Sequence, residues 1–231
     1  MSLQNIGNED GSMSNGEVAE EVRPFRDADH TIASAFLNRW SPYSFTSDPV
    51  DDGALLSVFE AARWAASSYN EQPWRFVYAR TAEDRKKFLD FLVPANQVWA
   101  KNAPVLLVVV AKKTFTQNNQ PNATYQFDSG CASGYLTLQA SLSGLYAHGM
   151  AGFDAEQARN TLEIPEDFVP LAVFALGYRN EPESLPEKLR VREQPSKRRP
   201  VIESIMEGRF QSSTYKNAGA ETNSSAGNSI Y

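Results

Sequence analysis

The 231-residue chain has a single cysteine, Cys131, so no disulfide can close within it, and a reducing compartment is its expected home. Its two histidines, His30 and His148, have no cysteine or carboxylate at ligand spacing, which argues against a metal site. Positive charge is short as well: 22 Lys and Arg stand against 28 Asp and Glu, a balance unsuited to holding nucleic acid by phosphate neutralisation. The longest apolar run, Pro104–Ala111, is far too short to span a bilayer. Residues 1–22 lack a basic start and an apolar stretch, so no signal peptide is expected. No Gly-x-Gly-x-x-Gly occurs, which removes the Rossmann route to a dinucleotide. The expectation is a soluble cytoplasmic protein that engages neither membrane nor nucleic acid and holds no metal.

The length suits one domain with a sizeable core and some tail. Residues 1–29 are polar and acidic and read as a disordered or expression-related leader; residues 30–208 form the domain; residues 209–231, rich in Ser, Asn, Gly and Ala, read as a flexible tail. Within the domain, Thr31–Trp40 has helical spacing that would deliver Arg39 at its end. Asp51–Ser67 places Leu55, Leu56, Phe59, Ala62 and Ala66 on one helical face, with Asp51 or Asp52 as cap. Trp74–Arg80 follows as a strand, and Thr81 with Asp84 opens a helix to about Leu92. Val105–Val110 is continuously aliphatic, the mark of a strand buried on both faces. The polar stretch 112–126 predicts a mobile loop. Asp128–Leu145 is a long helix, Asp154–Leu162 a shorter one, and Leu171–Tyr178 a last strand.

Three blocks carry chemistry. In Ser67-Ser68-Tyr69-Asn70-Glu71-Gln72-Pro73-Trp74 an apolar helix gives way to a polar turn before a strand. Pro73 has no amide to donate and disfavours helix at Gln72, which should therefore be extended. Two carboxamides are presented together, each with a donor and an acceptor, as needed to read an alternating ring edge. A plain polar turn between core elements explains the same residues. The second block is Arg39-Trp40-Ser41-Pro42-Tyr43-Ser44-Phe45. The third is Gly149-Met150-Ala151-Gly152-Phe153-Asp154, with Ile164-Pro165 beyond it. Other chemistries find less support: Gly130-Cys131-Ala132-Ser133-Gly134 has nucleophile-elbow spacing but alanine at the nucleophile position, so Cys131 reads as a buried packing residue.

In these blocks and their order the chain resembles the FMN-dependent nitroreductase family (NAD(P)H nitroreductase-like). The resemblance implies an α+β fold with a central mixed, mostly antiparallel sheet flanked by helices. It also implies a homodimer with FMN at the subunit interface and the small-residue helix 128–145 at its centre. Arg39 and Ser41, with Trp40 between them, match the family's phosphate-binding motif. Asn70, and less directly Gln72, would bond the flavin's polar edge; Gln72 could instead brace the turn. Ala151 and Gly152 match the residue pair whose backbone amides meet the redox-active nitrogen, and many relatives have Glu where Ala151 stands. Lys197 and Arg199, ahead of Pro200, match a basic pair reaching the phosphate, although a charge run is as readily a solvated surface.

One departure stands out. Tyr43 lies where most relatives have Arg or Lys, a cation at the ring's N1/C2 carbonyl edge that favours the anionic reduced flavin. Losing a charge-assisted bond costs on the order of 1.5–3 kcal/mol. A lower flavin potential or weaker FMN binding is expected, unless Arg75 or another basic side chain substitutes. The implied activity is electron transfer from NAD(P)H through FMN to nitroaromatic, quinone or similar small acceptors, with no catalytic side chain and with the 112–127 loop at the acceptor pocket. The alternatives are a low-turnover flavin-binding or sensing module, or a relative acting as a dehydrogenase or on flavin itself.

Overall fold

The computed structural model describes residues 16–210. Residues 1–15 and 211–231, which hold much of the expected leader and tail, lie outside the described residues. The chain gathers into two compact units, residues 16–38 with 194–210, and residues 39–193.

The first unit has little regular structure. A turn at residues 20–25 buries Val22 completely, and α1 (Ser34–Asn38) is shorter than the helix expected over 31–40, so Arg39 lies beyond its end. Arg26 ties this unit together by donating to the Leu37 carbonyl at 2.7 Å and the Ser196 carbonyl at 3.2 Å. The Val201 amide donates to the Asp29 carboxylate at 2.6 Å.

The second unit is built on four strands, β1 (Trp74–Ala79), β2 (Val105–Lys112), β3 (Tyr146–Met150) and β4 (Phe168–Gly177). They pair in the order β1-β2-β4-β3, and every pairing is antiparallel, which corrects the mixed sheet implied by the resemblance. The central β2 is buried on both faces because its residues alternate between two cores. Leu106, Val108 and Val110 face a cluster containing Phe88, Phe91, Trp99 and Met150. Val105, Leu107 and Val109 face a second cluster with Leu55, Val58, Leu136 and Phe174. The β2–β4 register slips between Val109 and Val110, opposite Pro170, which has no amide to give the ladder.

Local chemistry sets the helix starts. Asp51 caps α2 (Asp52–Arg63) by accepting from the amides of Gly53 and Ala54. Thr81 caps α3 (Ala82–Asp90) through the Asp84 amide, and Asp154 caps α6 (Ala155–Thr161) through Glu156 and Gln157. The long α5 (Tyr125–Leu142) packs its buried face, including Ala132, Leu136 and Ala140, against the sheet and α2. A short α7 (Glu187–Arg190) closes the unit. Two elements exceed the expectation: α4 (Pro94–Ala100), started by proline at its first position, and β3 itself, whose Ala-His-Gly sequence has little strand character.

The 112–126 stretch is not the loose loop expected from its polarity. Thr114 bridges to Pro121, and the Phe115 amide donates to the Gln120 carbonyl at 2.8 Å. The Glu71 carboxylate then accepts from the Thr116 amide (2.9 Å) and hydroxyl (2.6 Å), fastening this hairpin to the Asn70 turn.

Candidate functional site

The Arg39–Phe45 block enters the second unit beside the end of β4. Phe45 bridges to Arg179, and the Thr46 amide donates to the Tyr178 carbonyl at 3.0 Å. Arg39 and Ser41 stand together, with the guanidinium 3.5 Å from the hydroxyl. Trp40 is buried edge-on against Tyr146, ring centroids 5.9 Å apart, and carries the Arg179 guanidinium 5.0 Å from its ring. Its place is structural packing rather than an exposed face.

Tyr43 is turned inward. The residue is only 9% exposed, and its ring sits edge-on to Trp99 at 5.3 Å and tilted over His148 at 4.6 Å. The backbone around it is held by a carboxylate that sequence reasoning missed. Glu193, buried, accepts from the Tyr43 amide at 2.6 Å, the Ser44 amide at 3.3 Å and the Ser44 hydroxyl, and lies 3.6 Å from Arg179 Nε. Beneath Tyr43, His148 places Nδ1 2.8 Å from the Pro42 carbonyl. Burial, with the nearby Arg192 charge adding to it, pushes the imidazole down to about 4, so it is neutral at ordinary pH. No local signal could have found these partners, because Glu193 lies 150 residues along the chain from Tyr43.

The Asn70 turn is strained. Tyr69, Asn70 and Gln72 all adopt left-handed φ, at 50°, 56° and 50°. Each such residue other than glycine costs about 1–3 kcal/mol, less for asparagine, and such strain concentrates at functional sites. Gln72 is therefore not extended: Pro73 disfavours the right-handed helical conformation, and the turn takes the left-handed one. Local bonds hold it there. The Gln72 amide donates to Ser67 Oγ at 3.0 Å, its carboxamide donates to the Asn70 carbonyl at 3.1 Å, and the Ser68 amide donates to the buried Asp128 carboxylate at 3.1 Å. Gln72 thus braces the turn. Asn70 is exposed, and its carboxamide meets no protein partner among the described residues. Arg75 is committed to the carbonyls of Gln72 (2.9 Å) and Trp74 (2.6 Å).

Ala151 and Gly152 lie half-buried at the exit of β3. Among the described residues neither amide meets a protein acceptor. The Gly152 carbonyl is fixed by the Val93 amide (3.0 Å) and by Asn96 Nδ2 (3.1 Å). A Cβ at Gly152 would come within 2.8 Å of both the Val93 and Asn96 side chains, so glycine is required here by α4, whatever binds on the other side.

The Asn70 turn and the Arg39–Phe45 block do not meet within one chain. Trp74, next to the Asn70 turn, is level with Ala111 and Val169, whereas Phe45 is level with Arg179. About ten residues of β4 and its extension separate the two levels, about 30 Å at strand rise. Lys197 and Arg199 belong to the other compact unit, exposed on the segment where Arg198 donates to Ser196 Oγ at 2.7 Å.

The family model described as the Nitroreductase family matches residues 37–96 and 92–178, most of the second unit and all three blocks. The chain belongs to the nitroreductase family. Among relatives of this chain is a Streptomyces coelicolor protein whose provisional name is NADH dehydrogenase/NAD(P)H nitroreductase. It is 30% identical over 165 residues, 63% of this chain and 82% of that one. A Thermus thermophilus protein named NADH dehydrogenase is 29% identical over 176 residues, 63% of this chain and 85% of its own. A crystal structure described as an oxidoreductase containing FMN superposes with a TM-score of 0.77 at 41% identity, over 80% of this chain and 96% of that one. Among the described residues, no helix is long and apolar enough to cross a membrane.

Proposed function

We propose that this family member is an FMN-dependent oxidoreductase that takes electrons from NAD(P)H and passes them to nitroaromatic, quinone or similar small acceptors. The observation that carries the reading is the pair of half-buried, unbonded amides at Ala151 and Gly152. Two adjacent half-buried amides without a protein acceptor among the described residues are free to donate to a ligand. The edge of a flat heteroaromatic ring suits them, and Gly152, packed on Val93 and Asn96, holds the pair still. Further residues fit the same group: Arg39 and Ser41 supply a guanidinium and a hydroxyl for a phosphate, and Asn70 an unengaged carboxamide for the ring's polar edge. When bound, FMN supplies the two-electron carrier between nicotinamide and acceptor. The protein binds and orients, and no side chain need act as nucleophile.

The working form is a homodimer with FMN at the subunit interface. The roughly 30 Å between the Asn70 turn and the Arg39 block is too far for one flavin to bridge within a chain, so a second copy is needed to bring the two together. The outer face of α5 suits such a contact. Phe127, Tyr135 and Leu142 are 81%, 44% and 62% exposed there, and a Cβ at Gly130 or Gly134 would touch nothing. The acceptor enters beside the hairpin that Glu71 fastens down, where Tyr69 meets Phe115 edge-on at 5.8 Å.

The test is the visible spectrum of purified protein after FMN addition and desalting, followed by anaerobic NADH or NADPH. Retained flavin that bleaches is the expected result; no retained flavin overturns the reading. Retained flavin that stays oxidised, with no quinone-dependent NAD(P)H oxidation, would instead favour a binding or sensing module, the reading that the uncharged Tyr43 supports.

A further inference from the structure

Position 43 brings no charge to the site, and the side chain standing over it does. The Tyr43 ring is closed in by Trp99 and His148, and the Arg192 guanidinium lies over it, its carbon 5.3 Å from the ring centre. Arg192 is exposed, so the outermost group at position 43 is a guanidinium rather than the phenol. That cation is uncommitted: among the described residues no carboxylate pairs with it and no acceptor takes its donors. Its neighbour Glu193 is turned inward to the Tyr43 and Ser44 amides and to Arg179, which both spends that negative charge elsewhere and anchors residue 192 beside residue 43. His148 below is neutral and adds no competing charge.

We propose that Arg192 supplies to the flavin the positive charge that the family motif would have placed at position 43, with the Tyr43 ring as its seat. The inference rests on the FMN reading above. Taking up two electrons and one proton leaves the reduced flavin with one more negative charge on its N1/C2 carbonyl edge. A guanidinium facing that edge holds reduced FMN more tightly than oxidised FMN. Arg75, the other basic side chain the sequence offers for this edge, is bound to turn carbonyls at the opposite end of the sheet.

The experiment measures the dissociation constant of oxidised FMN and the midpoint potential, as a function of pH, for wild type, Arg192→Gln, Arg192→Lys and Tyr43→Phe. In Arg192→Gln the preference for reduced over oxidised FMN should fall about tenfold, a potential about 30 mV lower for this two-electron couple. The pH at which uptake changes from one proton to two per electron pair should rise by about one unit, which a merely structural role would not move. Arg192→Lys should restore most of both, and Tyr43→Phe, which keeps the seat, should leave the potential unchanged. A wild type that retains FMN beside an Arg192→Gln of equal potential overturns this inference and spares the FMN reading. A shift in Tyr43→Phe but not in Arg192→Gln assigns the role to the phenol and overturns it too. Failure of the wild type to bind FMN removes both.

Discussion

His148 should make stability depend on pH by itself, and the size can be worked out. His148 is 1% exposed, its imidazole lies tilted against Tyr43 and Trp99, and its pKa falls from an ordinary 6.5 to about 4, chiefly through burial. The Arg192 charge lowers it further, while the backbone carbonyls of Pro42 and Ser41 oppose the shift. Between these two values the unfolded chain binds a proton that the folded chain refuses. Stability therefore rises with pH across that window and is lost as pH falls from 6.5 to 4. A shift of about 2.5 units at about 1.36 kcal/mol each makes the loss about 3 kcal/mol. The perturbation is His148→Asn, whose carboxamide can keep a donor near the Pro42 carbonyl but does not titrate. Urea unfolding of both flavin-free proteins, at one fixed concentration, gives their stability difference at each pH. At pH 7 the variant should be weaker by the cost of truncating a buried ring. By pH 4.5 the gap should narrow by about 2–3 kcal/mol, because only the wild type then resists a proton. Carboxylates common to both proteins cancel in the difference. A gap that stays constant from pH 7 to 4.5 would refute the reasoning.

Glu193→Gln should cost about 3 kcal/mol, since it leaves the Arg179 charge without its carboxylate and weakens the bonds from Tyr43 and Ser44; denaturant midpoints at an unchanged slope measure it. Asn70→Gly should keep stability while FMN affinity drops several-fold, whereas Asn70→Ala, facing a φ of 56°, should lose about 1 kcal/mol of stability as well; equal stabilities would count against the strain. A Cβ at Gly134 meets nothing in the isolated chain, so Gly134→Leu should leave the secondary structure intact yet shift sedimentation towards monomer and release FMN; an unchanged dimer would move the interface off α5.

Much of the scaffold was legible because it depends on neighbours in sequence. Asp51, Thr81 and Asp154 cap helices within three residues of themselves, and the aliphatic run in β2 needs only its own side chains to declare a strand buried on both sides. The short α4 and β3 were not legible: seven and five residues are too few for a periodic pattern, and β3 pairs because β4 offers its edge. Polarity misled over residues 112–126, where bonds to Glu71 and Asp167 hold a stretch that composition describes as loose. At the site, the Asn70 turn could be placed from its motif, but its three left-handed residues could not, because Pro73 disfavours one conformation without choosing among the rest.

The family, the order of the three blocks and the residue types offered to a flavin are written in short contiguous motifs and can be read along the chain. How position 43 is used depends on packing between distant segments. Tyr43 points inward because Trp99 and His148 bury its ring, and Glu193 fixes its backbone from 150 residues away. Arg192 then covers the ring with a charge that the motif itself lacks. Such a substitution is invisible along the chain, since it depends on antiparallel pairing bringing distant segments to one end of the sheet, and charge acts through space rather than through sequence order.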